Sequence, residues 1–373
     1  MSSRLSVSLP DVLVIGAGVN GLMTARELAA AGHRVLLLER GEVGREASWA
    51  GGGIVSPLYP WRYSAPVTAL AGPAQQAYPA LARELAEETG IDPELLPCGM
   101  LMLDAEDARD ALAWGGMQGQ AIEAWARPRL QQMPGLASHW QQGLWMPSVA
   151  NIRNPRLLKA LRASVLKRGV EIREASAVTG WEQAAGRVSA VLTESGERFP
   201  AASFVLCGGA WTSVLLAEAR AGQGIPLRPV RGQMLMYRLQ PGALPCIVLA
   251  EGRYVIPRRD GHVLCGSTQE EAGFDKSTTA EAFASLATSA ARLWPALAAE
   301  KPVAHWAGLR PAAPNGIPFI GRVPEFDNLW VNAGQFRNGL VLAPASARLL
   351  ADQMLARPTL VDARPYQMLP REA

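Results

Sequence analysis

Three glycines, Gly16, Gly18 and Gly21, stand in GxGxxG spacing within VIGAGVNG, and an acid, Glu39, closes the apolar run RVLLLE. The first glycine permits a tight turn, the second lets main chain approach a pyrophosphate, and the third allows a helix to pack closely. An acid about 20 residues beyond the glycines can accept hydrogen bonds from ribose hydroxyls. These residue types therefore suit a dinucleotide, although the fingerprint does not choose between FAD and NAD. Far along the chain, AGQFRNGLVLAP sets Arg337 inside a run of small and apolar residues. It follows NLWVNA, which reads as a buried strand, and precedes SARLLADQML, whose helical spacing begins just after Pro344. Strand-to-helix turns offer backbone N–H groups to anions, so Arg337 is expected to face a bound ligand.

The elements that must position these residues are legible around them. DVLVIG reads as a strand, AGVNG as a turn, LMTARELAAAG as a helix and RVLLLE as a second strand, which together make a βαβ unit. A second glycine-rich stretch, GREASWAGGGIVSP, follows closely, and its small residues and serine would let main chain come near a flat ring system. The helical QQAYPALARELAEETG and the strand-like LPCGMLMLD then leave the first domain. NPRLLKALRASVLKRG is helical again, and the strand-rich return to SFVLCGGAW resumes that domain. Between about residues 226 and 306, RGQMLMYRLQ, CIVLAEGRYVIPRR and HVLCGST read as antiparallel strands and AEAFASLATSAARLWPAL as one helix. A nucleotide-binding domain in three pieces and a second, β-rich domain are therefore expected.

Composition narrows the partners. The chain has 373 residues, enough for two domains, and its Lys+Arg 36 against Asp+Glu 33 leave a net charge of +3. No long block of one sign marks a surface for nucleic acid or anionic lipid. Cys98, Cys207, Cys246 and Cys265 are widely spaced, with no CxxC pair, and read as buried thiols in a reducing compartment with no metal site. The apolar stretch of the N-terminal MSSRLSVSLPDVLVIGAGVNGLM is cut by Pro10, Asp11 and glycines, so it is not read as a signal peptide. No window reaches about 18 uninterrupted apolar residues, so no transmembrane segment is expected and the reading is a cytoplasmic enzyme.

Four separated segments, VLVIGAGVNGLMTARELAAAGHRVLLLER, EASWAGGGIVSP, WAGLRPAAPNGIPFIG and NAGQFRNGLVLAP, with SFVLCGGAW as a weaker fifth, resemble the D-amino-acid oxidase (DAO) superfamily of flavoproteins. Within it they are similar to the glycine oxidases of thiamine biosynthesis. The resemblance implies an α/β fold: a Rossmann-like FAD-binding domain of the DAO (GR2) type from residues 1–80, 150–225 and 307–373. A second, antiparallel-sheet α+β substrate domain would be formed by 81–149 and 226–306. It implies FAD with its pyrophosphate at Gly16, Gly18, Val19, Asn20 and Gly21, and its ribose on Glu39 beside Arg40. Ala47, Ser48, Gly52, Gly53 and Ile54 would line the flavin, and the main chain of Val178 would meet the adenine. The turn of Gln335, Phe336, Arg337, Asn338, Gly339, Leu340 and Val341 would lie along the pyrimidine edge. There a helix N-terminus stabilises the negative charge that grows when the ring takes up hydride.

The same resemblance assigns the substrate carboxylate to Arg310 in AGLRP, to Arg337 and to Tyr254 in GRYVIPRR, a clamp drawn from three distant stretches. Hydride would pass from the α-carbon to flavin N5, giving an imine and then a keto acid and ammonia, while dioxygen becomes hydrogen peroxide. Glycine would yield iminoglyoxylate, which supplies the thiazole of thiamine. Two residues depart from the pattern. Gly308 stands where related sarcosine oxidases carry a cysteine joined to the flavin, which implies non-covalent FAD, and Gln269 stands where a glycine oxidase has methionine, which makes the amine pocket more polar. A D-amino-acid dehydrogenase or a sarcosine-oxidase-like enzyme, with another electron acceptor or amine preference, stays open as an alternative, as does a flavin-binding module without catalysis. An NAD-dependent dehydrogenase would leave AGLRP and FRNG without a role. The partners implied are a small amine or amino acid, dioxygen and further copies of the chain in a homo-oligomer, with a homotetramer as the family's pattern.

Overall fold

The computed structural model describes residues 9–369. Residues 1–8, which begin the stretch read against a signal peptide and the segment 1–80, lie outside the described residues, as do 370–373 of the segment 307–373. The chain forms two compact units, one from Met1–Arg45, Leu158–Arg228 and Pro311–Ala373, the other from Glu46–Leu157 and Pro229–Arg310. Residues 46–80, assigned from sequence to the FAD-binding segments, group by contact with the second unit.

The first unit is built on a six-stranded sheet in the order Phe319–Arg322, Leu329–Ala333, Ser203–Leu206, Val12–Ile15, Val35–Leu38, Glu171–Arg173. All neighbours run parallel except the first pair. VLVI and VLLL are buried along their whole length: helix Val19–Ala30 packs against these strands, while Leu13, Ile15, Leu36 and Leu38 share a core with Val188 and Val191 of a smaller sheet, so no position is left for a polar residue. Helices Val19–Ala30 and Gly339–Met354 pack against one another. The second of these begins at Gly339, earlier than the spacing after Pro344 suggests. Pro344 removes one N–H from the ladder, yet the helix runs through it because Val341, Leu342, Ala343 and Ala345 are all buried. A three-stranded antiparallel sheet, Arg198–Pro200, Arg187–Thr193 and Val178–Ala184, completes the core with Phe204, Val191 and Leu329.

The second unit carries an eight-stranded sheet ordered Ala304–Ala312, Arg228–Arg238, His262–Gly266, Arg253–Pro257, Ile247–Ala250, Met100–Leu103, Gln142–Met146, Glu123–Ala126. The three central hairpin-linked strands are antiparallel as expected, but Ile247–Ala250 lies parallel to Met100–Leu103, so the sheet is mixed. Helix Ala280–Leu293 covers part of it: the Thr279 side chain accepts from the Ala282 N–H at 3.2 Å, and Ala282, Leu286, Ala290 and Leu293 form the buried stripe. No helix among the described residues is long and apolar enough to cross a membrane, and none of their His, Cys, Asp and Glu side chains gather in threes to hold a metal ion. All four cysteines are free.

Candidate functional site

The glycine turn of the first unit has no room for side chains. Gly16 sits at φ +100°, and a Cβ there would lie 2.5 Å from the Cys207 carbonyl oxygen. One on Gly21 would fall 1.8 Å from the Gly16 oxygen. Helix Val19–Ala30 starts at Gly18 with neither a side-chain cap nor an acid in its first turn, so the positive end of its dipole is not neutralised locally. The Asn20 Oδ1 is buried without a hydrogen-bond partner. A small-residue cradle, a helix N-terminus and an orphaned polar atom are what a dinucleotide pyrophosphate and its hydroxyls require.

Glu39 ends the second strand of the βαβ unit and is buried. Its Oε2 accepts from the Ala17 N–H at 2.8 Å and its Oε1 from the Gly41 N–H at 3.1 Å, and the carboxylate keeps lone pairs for a ribose. Its carbonyl accepts from the Ser176 N–H at 2.8 Å, which brings the segment leading to Val178 beside it. The Arg40 guanidinium stacks 3.5 Å from the centre of the Trp211 ring. Gly16 to Gly21, Glu39, Arg40 and Val178 are thus gathered at one end of the parallel strands.

Residues 335–341 form a turn of the same unit. Phe336–Asn338 is a short 3-10 segment leading into the helix at Gly339, and Phe336 adopts φ 49°, a left-handed conformation that an aromatic residue adopts only under constraint. The constraint is visible at Gln335, which bridges Ala312, donates to Asn332 Oδ1 at 2.6 Å and leaves its own Oε1 buried and unpartnered. Asn338 is buried, whereas Arg337 is half-buried and has no hydrogen bond or ion pair among the described residues.

In the second unit, Ala47 and Ser48 lie in the helical turn Ala47–Ala50, and Gly52, Gly53 and Ile54 follow it in a segment held by residues 152 and 154. The Ser48 carbonyl accepts from Asn154 Nδ2 at 2.7 Å, and the Ile152 N–H donates to the Gly53 carbonyl at 2.8 Å. A Cβ on Gly53, at φ +75°, would come within 2.1 Å of the Ile152 oxygen. Arg258, which sequence reasoning passed over, donates to the Gly52 carbonyl at 2.9 Å, to Asn151 Oδ1 at 2.5 Å and to the Ile152 carbonyl at 3.1 Å. Burial pulls this guanidinium down to about 10, still protonated at neutral pH. The Trp306 indole donates to the Ala50 carbonyl at 3.0 Å, and a Cβ on Gly308 would meet the Ala50 Cβ at 2.5 Å.

Met234, Gly266 and Tyr254 form one row across three adjacent strands, with the Tyr254 hydroxyl 3.5 Å from the Met234 sulfur. Tyr254 is buried, its ring edge beside the positions that side chains on Gly266 and Gly52 would take. Arg310 donates to Ser267 Oγ at 2.6 Å and to the Thr268 carbonyl at 3.1 Å. Its guanidinium covers Gly232, where a Cβ would lie 2.0 Å from Nη1. Gly232 and Met234, two residues apart on one strand, point to the same side, so Arg310 and Tyr254 share a face of the sheet and flank Gly266–Ser267. Gln269 is exposed. Ser267 and Thr268 were not singled out from sequence; their only signal is their position at the end of the strand HVLCG.

The FAD dependent oxidoreductase (DAO) family model matches residues 11–353. A glycine oxidase of Pseudomonas aeruginosa is 54% identical over 357 residues, covering 95% of this chain and 97% of its own. One of Pseudomonas putida is 48% identical over 358 residues, covering 95% and 97%. The crystal structure of glycine oxidase from Geobacillus kaustophilus superposes with a TM-score of 0.91 at 30% identity over 98% of this chain and 99% of that one. The match runs through the glycine turn at one end and the Arg337 turn at the other, and the chain belongs to the DAO family of FAD-dependent oxidoreductases.

Proposed function

We propose that the chain oxidises glycine and other small amines or D-amino acids, with FAD as resident electron acceptor and dioxygen as the final one. The observation that carries this reading is the setting of Arg310, fixed along one edge by Ser267 and Thr268 and sharing a sheet face with Tyr254. A guanidinium fork suits a two-oxygen anion, and a tyrosine hydroxyl on the same face can donate to it. That relatives of nearly the same length are named glycine oxidases supports glycine as the amine.

Gly16, Gly18, Val19, Asn20 and Gly21 would hold the FAD pyrophosphate, Glu39 with Arg40 the ribose, and the Val178 main chain the adenine. Ala47, Ser48, Gly52, Gly53 and Ile54 would line the flavin, and residues 335–341 its pyrimidine edge. The tight fit of Gly308 on Ala50 leaves no space for a thiol tether and supports non-covalent attachment. Bound FAD supplies a hydride acceptor. The work of the side chains is orientation: Arg310 and Tyr254 pin the carboxylate, with Arg337 as a further cation for it, so that the α C–H has a fixed direction. The amine lone pair assists loss of hydride, and no side-chain base is needed. The imine takes up water to give keto acid and ammonia, or, from glycine, serves as iminoglyoxylate for the thiazole of thiamine, while dioxygen gains two electrons and two protons to become hydrogen peroxide. A homo-oligomer in the cytoplasm accompanies this reading.

The test is a panel of glycine, sarcosine, D-alanine and D-proline with purified holoprotein, following peroxide release and anaerobic bleaching of the flavin. Bleaching with peroxide supports an oxidase; bleaching without it assigns another electron acceptor. No bleaching by any member of the panel removes the proposal.

A further inference from the structure

Behind Arg310 lies a polar cluster that no substrate contact explains. Glu270 accepts from Arg231 Nη2 at 2.6 Å and Nε at 2.9 Å, from Gln233 Nε2 at 2.9 Å, and from the Thr268 hydroxyl. The Thr268 hydroxyl in turn accepts from the Gln233 N–H at 2.8 Å. Main-chain bonds between Arg231 and Glu270, at 2.9 and 3.0 Å, tie the same two segments together. Outside the ring, Arg231 Nη1 donates to Asp275 Oδ2 at 2.6 Å and Gln233 Oε1 accepts from the Thr279 N–H at 2.9 Å. Arg231, Gln233 and Thr268 are all buried. Desolvation pushes the Glu270 carboxyl up, but donation from Thr268, Arg231 and Gln233 outweighs it and holds the group below its ordinary value, so it is an anion at neutral pH.

The geometry of this cluster bears on Arg310 from two directions. The Thr268 carbonyl that receives Arg310 Nη1 belongs to the residue whose hydroxyl Glu270 holds, and Gly232, on which the guanidinium rests, lies between Arg231 and Gln233. We propose that Glu270 is a positioning residue, acting through Thr268 and through the Arg231–Gln233 strand to set the plane of the Arg310 guanidinium, and thereby a determinant of affinity for small carboxylate substrates. The inference rests on the reading of Arg310 as the carboxylate ligand. A fork that binds two oxygens loses its advantage when tilted, because both bonds must be aligned at once.

The test uses holoenzyme with glycine as substrate and glycolate as a probe of the same size without the amine, its binding followed by perturbation of the flavin spectrum. Glu270→Gln keeps the volume but presents an amide donor to Arg231 and Gln233. It should raise KM for glycine and Kd for glycolate by roughly tenfold or more, change kcat by less, and leave FAD affinity as it was. Thr268→Val, which keeps the carbonyl and removes the hydroxyl, should move both constants in the same direction, and Glu270→Asp should recover part of the loss. If Arg310→Ala weakens glycolate binding while Glu270→Gln and Thr268→Val leave KM and Kd unchanged, the positioning role is overturned. If Arg310→Ala itself leaves glycolate affinity intact, the carboxylate reading falls instead. Should Glu270→Gln give no folded holoenzyme, unchanged constants in Thr268→Val overturn the role and raised ones uphold it.

Discussion

Glu39 Oε2 accepts a hydrogen bond from the Ala17 N–H at 2.8 Å, so the acid at the end of the second strand grips the glycine turn itself. Its carboxylate therefore shapes the turn, besides the ribose contact proposed for it. Glu39→Ala should lower FAD affinity of the apoprotein by about tenfold or more, since a buried charge-assisted bond to main chain is lost together with a ligand contact. Titration of apoprotein with FAD reads this directly. Flavin-saturated Glu39→Ala should retain most of its rate, because Glu39 has no part in the proposed chemistry.

Arg310→Ala should slow anaerobic flavin reduction by glycine by about two orders of magnitude or more while bound FAD is retained. Stopped-flow bleaching at saturating and subsaturating glycine separates the loss of binding from the loss of orientation.

Arg258 is a buried cation that donates to oxygens of Gly52, Asn151 and Ile152, none of them a carboxylate. Arg258→Met removes the charge but strands those acceptors, at a cost of roughly 2–4 kcal/mol in urea unfolding. Loosening of the Gly52 loop should also show as faster release of FAD on dilution.

Gly308→Ala drives a methyl group to 2.5 Å from the Ala50 Cβ. Overpacking of this kind costs about 1–3 kcal/mol, and Ala50→Gly in the same chain should restore most of the lost thermal stability. Recovery in the double variant, read as Tm, checks that the contact and not a change in the preference of strand Ala304–Ala312 is responsible.

Burial pushes the thiols of Cys207, Cys246 and Cys265 up to about 12. Their reactive thiolates are therefore absent at about pH 8, and iodoacetamide should leave all three unmodified until the chain is denatured. A thiol raised on folding favours the folded state below its ordinary range near 8.5, and that contribution declines as pH climbs from about 8.5 toward about 12, so Tm should fall over that interval.

How much of this was legible depended on distance along the chain. The Gly16, Gly18, Gly21 and Glu39 spacing is local, and its steric demands can be read from residue types alone. Arg310 and Tyr254 lie far apart and were legible only through family resemblance, since neither residue type announces a shared sheet face. Arg258 reads in sequence as one more surface cation beside Arg259. Its burial follows from the carbonyls that the Gly52 and Ile152 segments turn toward it, a pairing across the fold that no periodicity encodes. Glu270 is hidden for the same reason: its partners Arg231 and Gln233 belong to another strand. The last helix starts at Gly339 and not after Pro344: a proline outranks buried apolar residues in local rules, whereas packing decides in the folded chain.

The Cys207 carbonyl stands 2.5 Å from where a Gly16 side chain would begin, so the glycine turn leans on main chain made nearly two hundred residues later. The sheet beneath it also waits for Ser203–Leu206 and then Leu329–Ala333. A nascent chain leaving the ribosome would thus carry its nucleotide fingerprint long before that fingerprint has a backing wall. Loading with cofactor would then be a late event in biogenesis, and chains arrested before the final strands would be released empty.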